Sequence, residues 1–156
     1  MKPLKDVENK YWQDYLEKLP NSDVPLNGHV DASYAGNREI TDGLLQLYFD
    51  GKKTAGSSIV EDFLSTGDPL PQVGNHWILL NSKDKPSCIL RTERIVLHKF
   101  KDVPIEIATA EGEGDLSLQY WRDVHRKLYT PFLSSWGLVN LEDATVITEF
   151  FKIVHK

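Results

Sequence analysis

A chain of 156 residues, 40% hydrophobic and 26% charged, is long enough for one domain with a sizeable core, and its composition excludes a fibrous, low-complexity or disordered protein. The net charge of −5 excludes broad non-specific binding to nucleic acid, which needs clustered Lys and Arg against the phosphates. The single cysteine, Cys88, excludes an intramolecular disulfide; set in the apolar run Cys88-Ile89-Leu90, it reads as a small buried hydrophobe in a reducing compartment. The first residues lack the apolar core of a signal peptide, and no stretch approaches the roughly 18 apolar residues of a membrane span, so a cytoplasmic location without a membrane partner is expected.

Residues 4–19 read as an amphipathic helix, with Val7, Tyr11 and Tyr15 four apart beside a stripe of Trp12, Leu16 and Leu19, stopped by Pro20. Residues 20–36 carry Pro20, Pro25, Asn27-Gly28 and Gly36 and read as a loop, either bland surface or a flap bringing His29, Asp31, Ser33 and Tyr34 to a site. Residues 38–50 read as a second helix capped by Gly51, and Ser57 or Ser58 to Leu64 as a short third one ended by Ser65-Thr66-Gly67. A strand-rich centre follows: Trp77 to Leu80, a hairpin-like connection, then the alternating run Ser87 to His98. Pro104 opens a short helix over 104–110. Residues 116–129 form a strong helix with Asp115 as N-cap and two apolar rows, Leu116/Tyr120/Val124/Leu128 and Leu118/Trp121/His125/Tyr129. Residues 145–155 alternate as a final strand. Helical ends around a strand-rich centre, without regular βαβ alternation, indicate an α+β fold.

Three groups of residues carry chemistry. Gly51-Lys52-Lys53-Thr54, with Ser57 and Ser58, places two lysines at the negative end of a helix. It is not a phosphate loop, because Lys53 stands where Ser or Thr is required and the preceding residues read as helix. Solvated cap lysines, or a partly buried lysine acting as base or clamp, remain the two readings. Glu111-Gly112-Glu113-Gly114-Asp115 alternates carboxylates with glycines; it can pair with Lys53, meet a ligand, or simply decorate a helix N-terminus. Basic residues gather between Lys83 and Lys101, including Arg91 and Arg94, and again at Arg122 and Arg126. The five histidines lack metal-like spacing, so no metal and no cofactor is expected.

The string Gly51-Lys52-Lys53-Thr54-Ala55 with Ser57-Ser58, Leu70-Pro71 with Gly74, Ala110 to Asp115, Ser117, Trp121-Arg122, His125 and Val146-x-x-Glu149-x-Phe151 resembles the ASCH domain family of the PUA-like superfamily, in its longer bacterial branch. The resemblance implies a small β-barrel flanked by helices, a cleft under the Gly-x-Lys loop, and RNA binding, with some members acting as hydrolases on RNA or modified cytidine nucleosides. It divides the chain into an N-terminal helix-and-loop extension (1–36) and the ASCH domain (37–156), in a single folded unit. In hydrolytic members a lysine, a threonine and a glutamate form the catalytic group. The lysine matches Lys53; the threonine position falls on Gly56, leaving the hydroxyl to Thr54, Ser57 or Ser58. Gly56 and Ser58 also stand where the broader motif has Glu and Arg. The resulting expectation is a Lys-containing cleft that binds RNA or a nucleoside-like small molecule. Lys53, Glu111 and Glu113 are the candidate catalytic residues. Thr54, Ser57, Ser58, Asp115, Arg122 and His125 are candidates for ligand binding, and Arg91 and Arg94 form a basic patch. The activity would be that of a nucleoside amidohydrolase or ribonuclease; the alternative is an RNA- or metabolite-binding module without chemistry.

Overall fold

The structure, a computed structural model, describes residues 2–20 and 27–156. In chain order the elements are α1 (Asp6–Lys18), β1 (Val30–Tyr34), α2 (Thr41–Phe49), β2 (Ala55–Ile59), α3 (Val60–Thr66), β3 (His76–Leu80), β4 (Pro86–Lys99), α4 (Ile105–Glu111), α5 (Leu118–Tyr129) and β5 (Thr145–His155), with short 3₁₀ turns before α4 and between α5 and β5. The chain divides into two compact units: Met1–Asp50, Gln72–Glu93 and Phe151–Lys156 form the first, Gly51–Pro71 and Arg94–Phe150 the second.

In the first unit β3 is paired on both sides, parallel to β1 from Val30↔His76 to Tyr34↔Leu80 and antiparallel to β4 with Ile78 opposite Ile89. A strand covered in this way reads as a continuous apolar run, which Ile78-Leu79-Leu80 supplies. Asp6 and Glu8 lie in the first turn of α1 and Lys18 in its last, complementing the helix dipole, and a Glu8 carboxylate oxygen accepts the Lys5 N–H at 2.9 Å. The helix buries Trp12 and Tyr15 against Ile78, Leu80 and Ile89. α2 buries Leu45 and Tyr48 against Leu79, Cys88 and Leu90. Cys88 is fully buried, and burial pushes its thiol up to about 12, so it serves as the inert hydrophobe expected from its apolar run.

His76, at the start of β3, is 2% exposed and lies against the rings of Trp12 (5.1 Å) and Tyr15 (5.7 Å). Burial pushes its imidazole down from 6.5 to about 4. The folded state therefore binds fewer protons than the unfolded chain in that interval. Stability is fully present above pH 6.5 and is lost as pH falls toward 4, by about 3 kcal/mol. Urea unfolding at pH 7, 5.5 and 4.5 should show this slope, and a His76→Leu variant should flatten it; an equal slope in both proteins would assign the acid sensitivity to other groups.

Two sequence expectations change here. The predicted 20–36 loop contains strand β1; its residues 21–26 lie outside the described residues. Val30, Ala32 and Tyr34 alternate with Asp31 and Ser33, and their side chains join the Trp12/Tyr15 cluster. His29, Asp31, Ser33 and Tyr34 are therefore not flap residues. Asp31 accepts from His29 at 2.7 Å, Ser33 accepts from the Trp77 indole at 2.8 Å, and Tyr34 bonds Asp84. The predicted third helix begins later: Ala55–Ile59 is strand β2, antiparallel to β5, and only Val60–Thr66 is helical, closed by Gly67 in the left-handed conformation. Serine is a good helix cap, but pairing with β5 overrides that local preference.

The second unit packs β2, β5, α4 and α5 around Ile59, Phe100, Val103, Ile107, Trp121, Tyr129, Leu141 and Val146. Of the two predicted rows on α5, the one with Trp121, His125 and Tyr129 is buried, whereas Leu116, Tyr120, Val124 and Leu128 are each at least a third exposed. In the buried row Trp121 and Tyr129 have partners beneath the helix, Glu111 and the Ser57 carbonyl, and His125 bonds the Trp121 carbonyl of the helix itself.

Candidate functional site

The site is built on the C-terminal end of α4. Glu111 is the last residue of that helix and Gly112 caps it at φ +68°. A helix end presents carbonyls without partners, and the 52–54 loop supplies donors. The Thr54 N–H donates to the Ala110 carbonyl at 2.7 Å, the Thr54 hydroxyl to the same oxygen at 3.3 Å, and Lys53 Nζ to the Glu111 carbonyl at 3.2 Å. The loop sits so close that a Cβ on Gly112 would lie 2.0 Å from the Lys52 carbonyl oxygen. The two lysines thus divide: Lys52 is exposed and Lys53 is 6% exposed.

Lys53 Nζ lies 3.0 Å from a Glu113 carboxylate oxygen and 3.7 Å from Glu111 Oε1. Glu111, 3% exposed, is the hub. Its Oε2 accepts from the Ser57 hydroxyl at 2.9 Å and from the Trp121 indole N–H, while Oε1 lies 3.7 Å from His125 Nε2. A buried carboxylate at the negative end of a helix is unfavourable alone; the Lys53 ammonium and these donors make it tenable. His125 Nδ1 is 2.7 Å from the Trp121 carbonyl, which only accepts, so Nδ1 carries the proton and Nε2 faces Glu111. The His125 and Trp121 rings stack at 4.1 Å. Ser57 also pairs with the buried Thr148 hydroxyl at 2.8 Å; since Ser57 donates to Glu111, Thr148 is the donor there. Burial, reinforced by the Glu111 and Asp62 charges, pushes the Tyr129 phenol well above its ordinary range, so it stays protonated and donates to the Ser57 carbonyl at 3.4 Å.

Lys53, Glu111, Glu113, Ser57 and His125 are therefore brought together. Other expected residues point elsewhere. Thr54 is spent on the Ala110 carbonyl. Ser58 sits opposite Ile147 on β2 and, by strand alternation, faces away from Ser57. Asp115 is exposed and accepts the Ser117 N–H at 2.9 Å; these bonds hold its carboxyl below the usual range. The N-cap of α5 is Ser117, whose hydroxyl accepts the Tyr120 N–H, and not Asp115, because Leu116 at φ +67° cannot belong to the helix. Arg122 donates to the carbonyls of Phe100, Lys101 and Val103. Arg91 is paired with Glu93 at 2.7 Å, and Arg94 lies 3.9 Å over the Phe150 ring. Trp121, Thr148 and Tyr129 are partners that were not among the candidate site residues; Trp121 and Tyr129 stood in the helical row with His125, read as packing, but nothing in the spacing of Thr148 marks it.

A small cleft of about 230 Å³, open solvent included, adjoins the Glu111, Glu113 and His125 side of this cluster and is also lined by Ala108, Tyr120 and Val124; Lys53 and Ser57 lie behind those carboxylates and outside the lining. Among the described residues, no group of three or more His, Cys, Asp or Glu side chains is placed to hold a metal ion, and no helix is long and apolar enough to cross a membrane.

The sequence profile of the ASCH domain matches residues 31–155. The crystal structure of an ASCH domain from Lactobacillus crispatus superposes with a TM-score of 0.90 at 24% identity, covering 99% of this chain and 98% of that one. A protein from Enterococcus faecalis gives a TM-score of 0.77 at 26% identity, over 94% and 87% of the two chains. No curated protein matches the chain. The α+β, PUA-like fold expected from the sequence is thereby shown, and the chain belongs to the ASCH domain family.

Proposed function

We propose that the cleft at Glu111 and Glu113, backed by Lys53, hydrolyses an amide bond in a nucleoside-like small molecule. The observation that carries this reading is a lysine 6% exposed, held 3.0 Å from Glu113 and 3.7 Å from Glu111, with the Ser57 hydroxyl on the opposite oxygen of Glu111. Packing alone does not call for an ammonium, two carboxylates and a hydroxyl at one point, and such groups gathered under a cleft are the usual equipment of proton transfer. Ser57 and Glu111 hold a water that attacks the acyl carbon. Glu111 takes the water's proton as the C–O bond forms, and the Lys53 ammonium gives a proton to the nitrogen as the C–N bond breaks. Glu111 then returns its proton to Lys53 as the two close from 3.7 Å to hydrogen-bonding distance, restoring the starting state. Glu113, 31% exposed at its side chain, holds Lys53 from the solvent side.

A small molecule suits the site better than an RNA strand. Three of the basic residues that could track phosphates are engaged within the protein: Arg91 by Glu93, Arg122 by three carbonyls, Arg126 by Glu142 at 2.6 Å. Screening N-acylated nucleosides and short RNAs for hydrolysis tests the reading. We expect turnover of an acylated nucleoside that falls about 10²- to 10⁴-fold in Glu111→Gln, which keeps the side chain's shape but cannot take the proton. Equal turnover by Glu111→Gln would remove this mechanism, and salt-sensitive RNA binding without any hydrolysis would replace it with the binding-module alternative.

A further inference from the structure

Helix α5 turns an aromatic ring toward the cleft that the proposed chemistry leaves unused. Tyr120 is 38% exposed and lines the cleft beside Glu113 and Val124. Its backbone is anchored at the first turn of α5, where its N–H donates to the Ser117 hydroxyl at 3.0 Å. The hydroxyl-bearing end of the ring rests on Gly114: a Cβ built there would lie 2.5 Å from Cε1, Cε2 and Cζ alike. Gly114 also has φ +60°, so the turn provides a bare α-carbon under the ring. The rest of the exposed apolar row is aliphatic at Leu116, Val124 and Leu128; the Trp121 and His125 rings that also line the cleft are buried and stacked on each other at 4.1 Å, so Tyr120 is the exposed ring in the lining next to the carboxylates.

We infer that Tyr120 is a stacking platform for the planar base of the ligand, and so selects base-bearing amides over aliphatic ones. The inference rests on reading the cleft as a nucleoside site. The enclosed part of the cleft is only about 10 Å³, room for about one water, so a nucleoside meets the site by its reactive end only. The base then lies at the mouth, where Tyr120 stands, and the sugar stays in water. Stacking tolerates any base, because every base has a π face.

The test is isothermal titration of unmodified nucleosides into the whole chain, its Tyr120→Phe and Tyr120→Leu variants, with thermal unfolding to confirm folding. Steady-state kinetics on an N-acylated nucleoside and on a simple aliphatic amide accompany it. Tyr120→Leu is expected to weaken nucleoside binding and raise KM about 10- to 100-fold with little change in kcat, and to leave the aliphatic amide unaffected. Tyr120→Phe, which keeps the ring, is expected to stay near wild type. Nucleoside binding by wild type that Tyr120→Leu retains in full overturns the platform and leaves the proposed function standing. If the wild-type chain binds no nucleoside, the function and the platform fall together.

Discussion

Replacing Lys53 with methionine is expected to lower amide turnover at least about 10³-fold and to destabilise the fold by about 3 kcal/mol. Methionine matches the lysine stem in length and apolar character, so the change isolates the ammonium. Its loss leaves the Glu111 carboxylate, 3% exposed, without its nearest positive charge, and the Glu111 backbone carbonyl without the Nζ donor at 3.2 Å. Breaking a buried ion pair from one side costs more than the pair contributes, because a charge stays behind in a low-dielectric site. Glu113, partly exposed, can turn toward water and limits the loss. For a chain of this size a 3 kcal/mol loss lowers Tm by about 10 °C. The double variant Lys53→Met/Glu111→Gln should recover much of the stability, since neither partner is then charged, while remaining inactive. Stability and activity are thus separable in one cycle. Unchanged turnover in Lys53→Met would take the lysine out of the chemistry and leave it only as the donor that closes α4.

The second large effect is expected at a residue with no side chain. Gly112→Ala should cost about 3–4 kcal/mol and abolish turnover. Two penalties add. A left-handed backbone at φ +68° costs an alanine about 1–2 kcal/mol, and its Cβ would lie 2.0 Å from the Lys52 carbonyl oxygen and 2.9 Å from the Lys53 nitrogen, atoms of the backbone that cannot rotate away. The 52–54 loop has to move, and with it go the bonds from Thr54 and Lys53 to the end of α4. Gly137→Ala is the internal control: its φ is +72°, but nothing lies within 4 Å of the added Cβ, so only the backbone penalty of about 1–2 kcal/mol applies. Denaturant midpoints of the two variants give the comparison. Equal losses at both positions would mean that the loop yields freely and that the close approach to Gly112 does not hold Lys53 in place.

Where local patterns were strong, the sequence alone determined the outcome. The periodicities of α1, α2 and α5 and of β3, β4 and β5 each lie within one short segment. So do the apolar surroundings of Cys88, and the residues that mark the family, though spread from Gly51 to Phe151, were legible as short strings around Lys53, Glu111 and Trp121. Tertiary structure decided the rest. β1 and β2 are strands because β3 and β5 accept them as partners, against Pro, Gly and Ser signals that argued for loop and helix. Both rows of α5 look apolar in sequence, but only one carries an indole, an imidazole and a phenol whose polar ends have partners at Glu111, Trp121 and Ser57. Ser57, and not Thr54 or Ser58, is the hydroxyl on Glu111, because strand alternation turns Ser58 away and Thr54 is taken by Ala110. The Ser57–Glu111 bond joins residues 54 apart and the Ser57–Thr148 bond residues 91 apart. Local propensity has no term for such separations; only the packed chain brings these groups within hydrogen-bonding range.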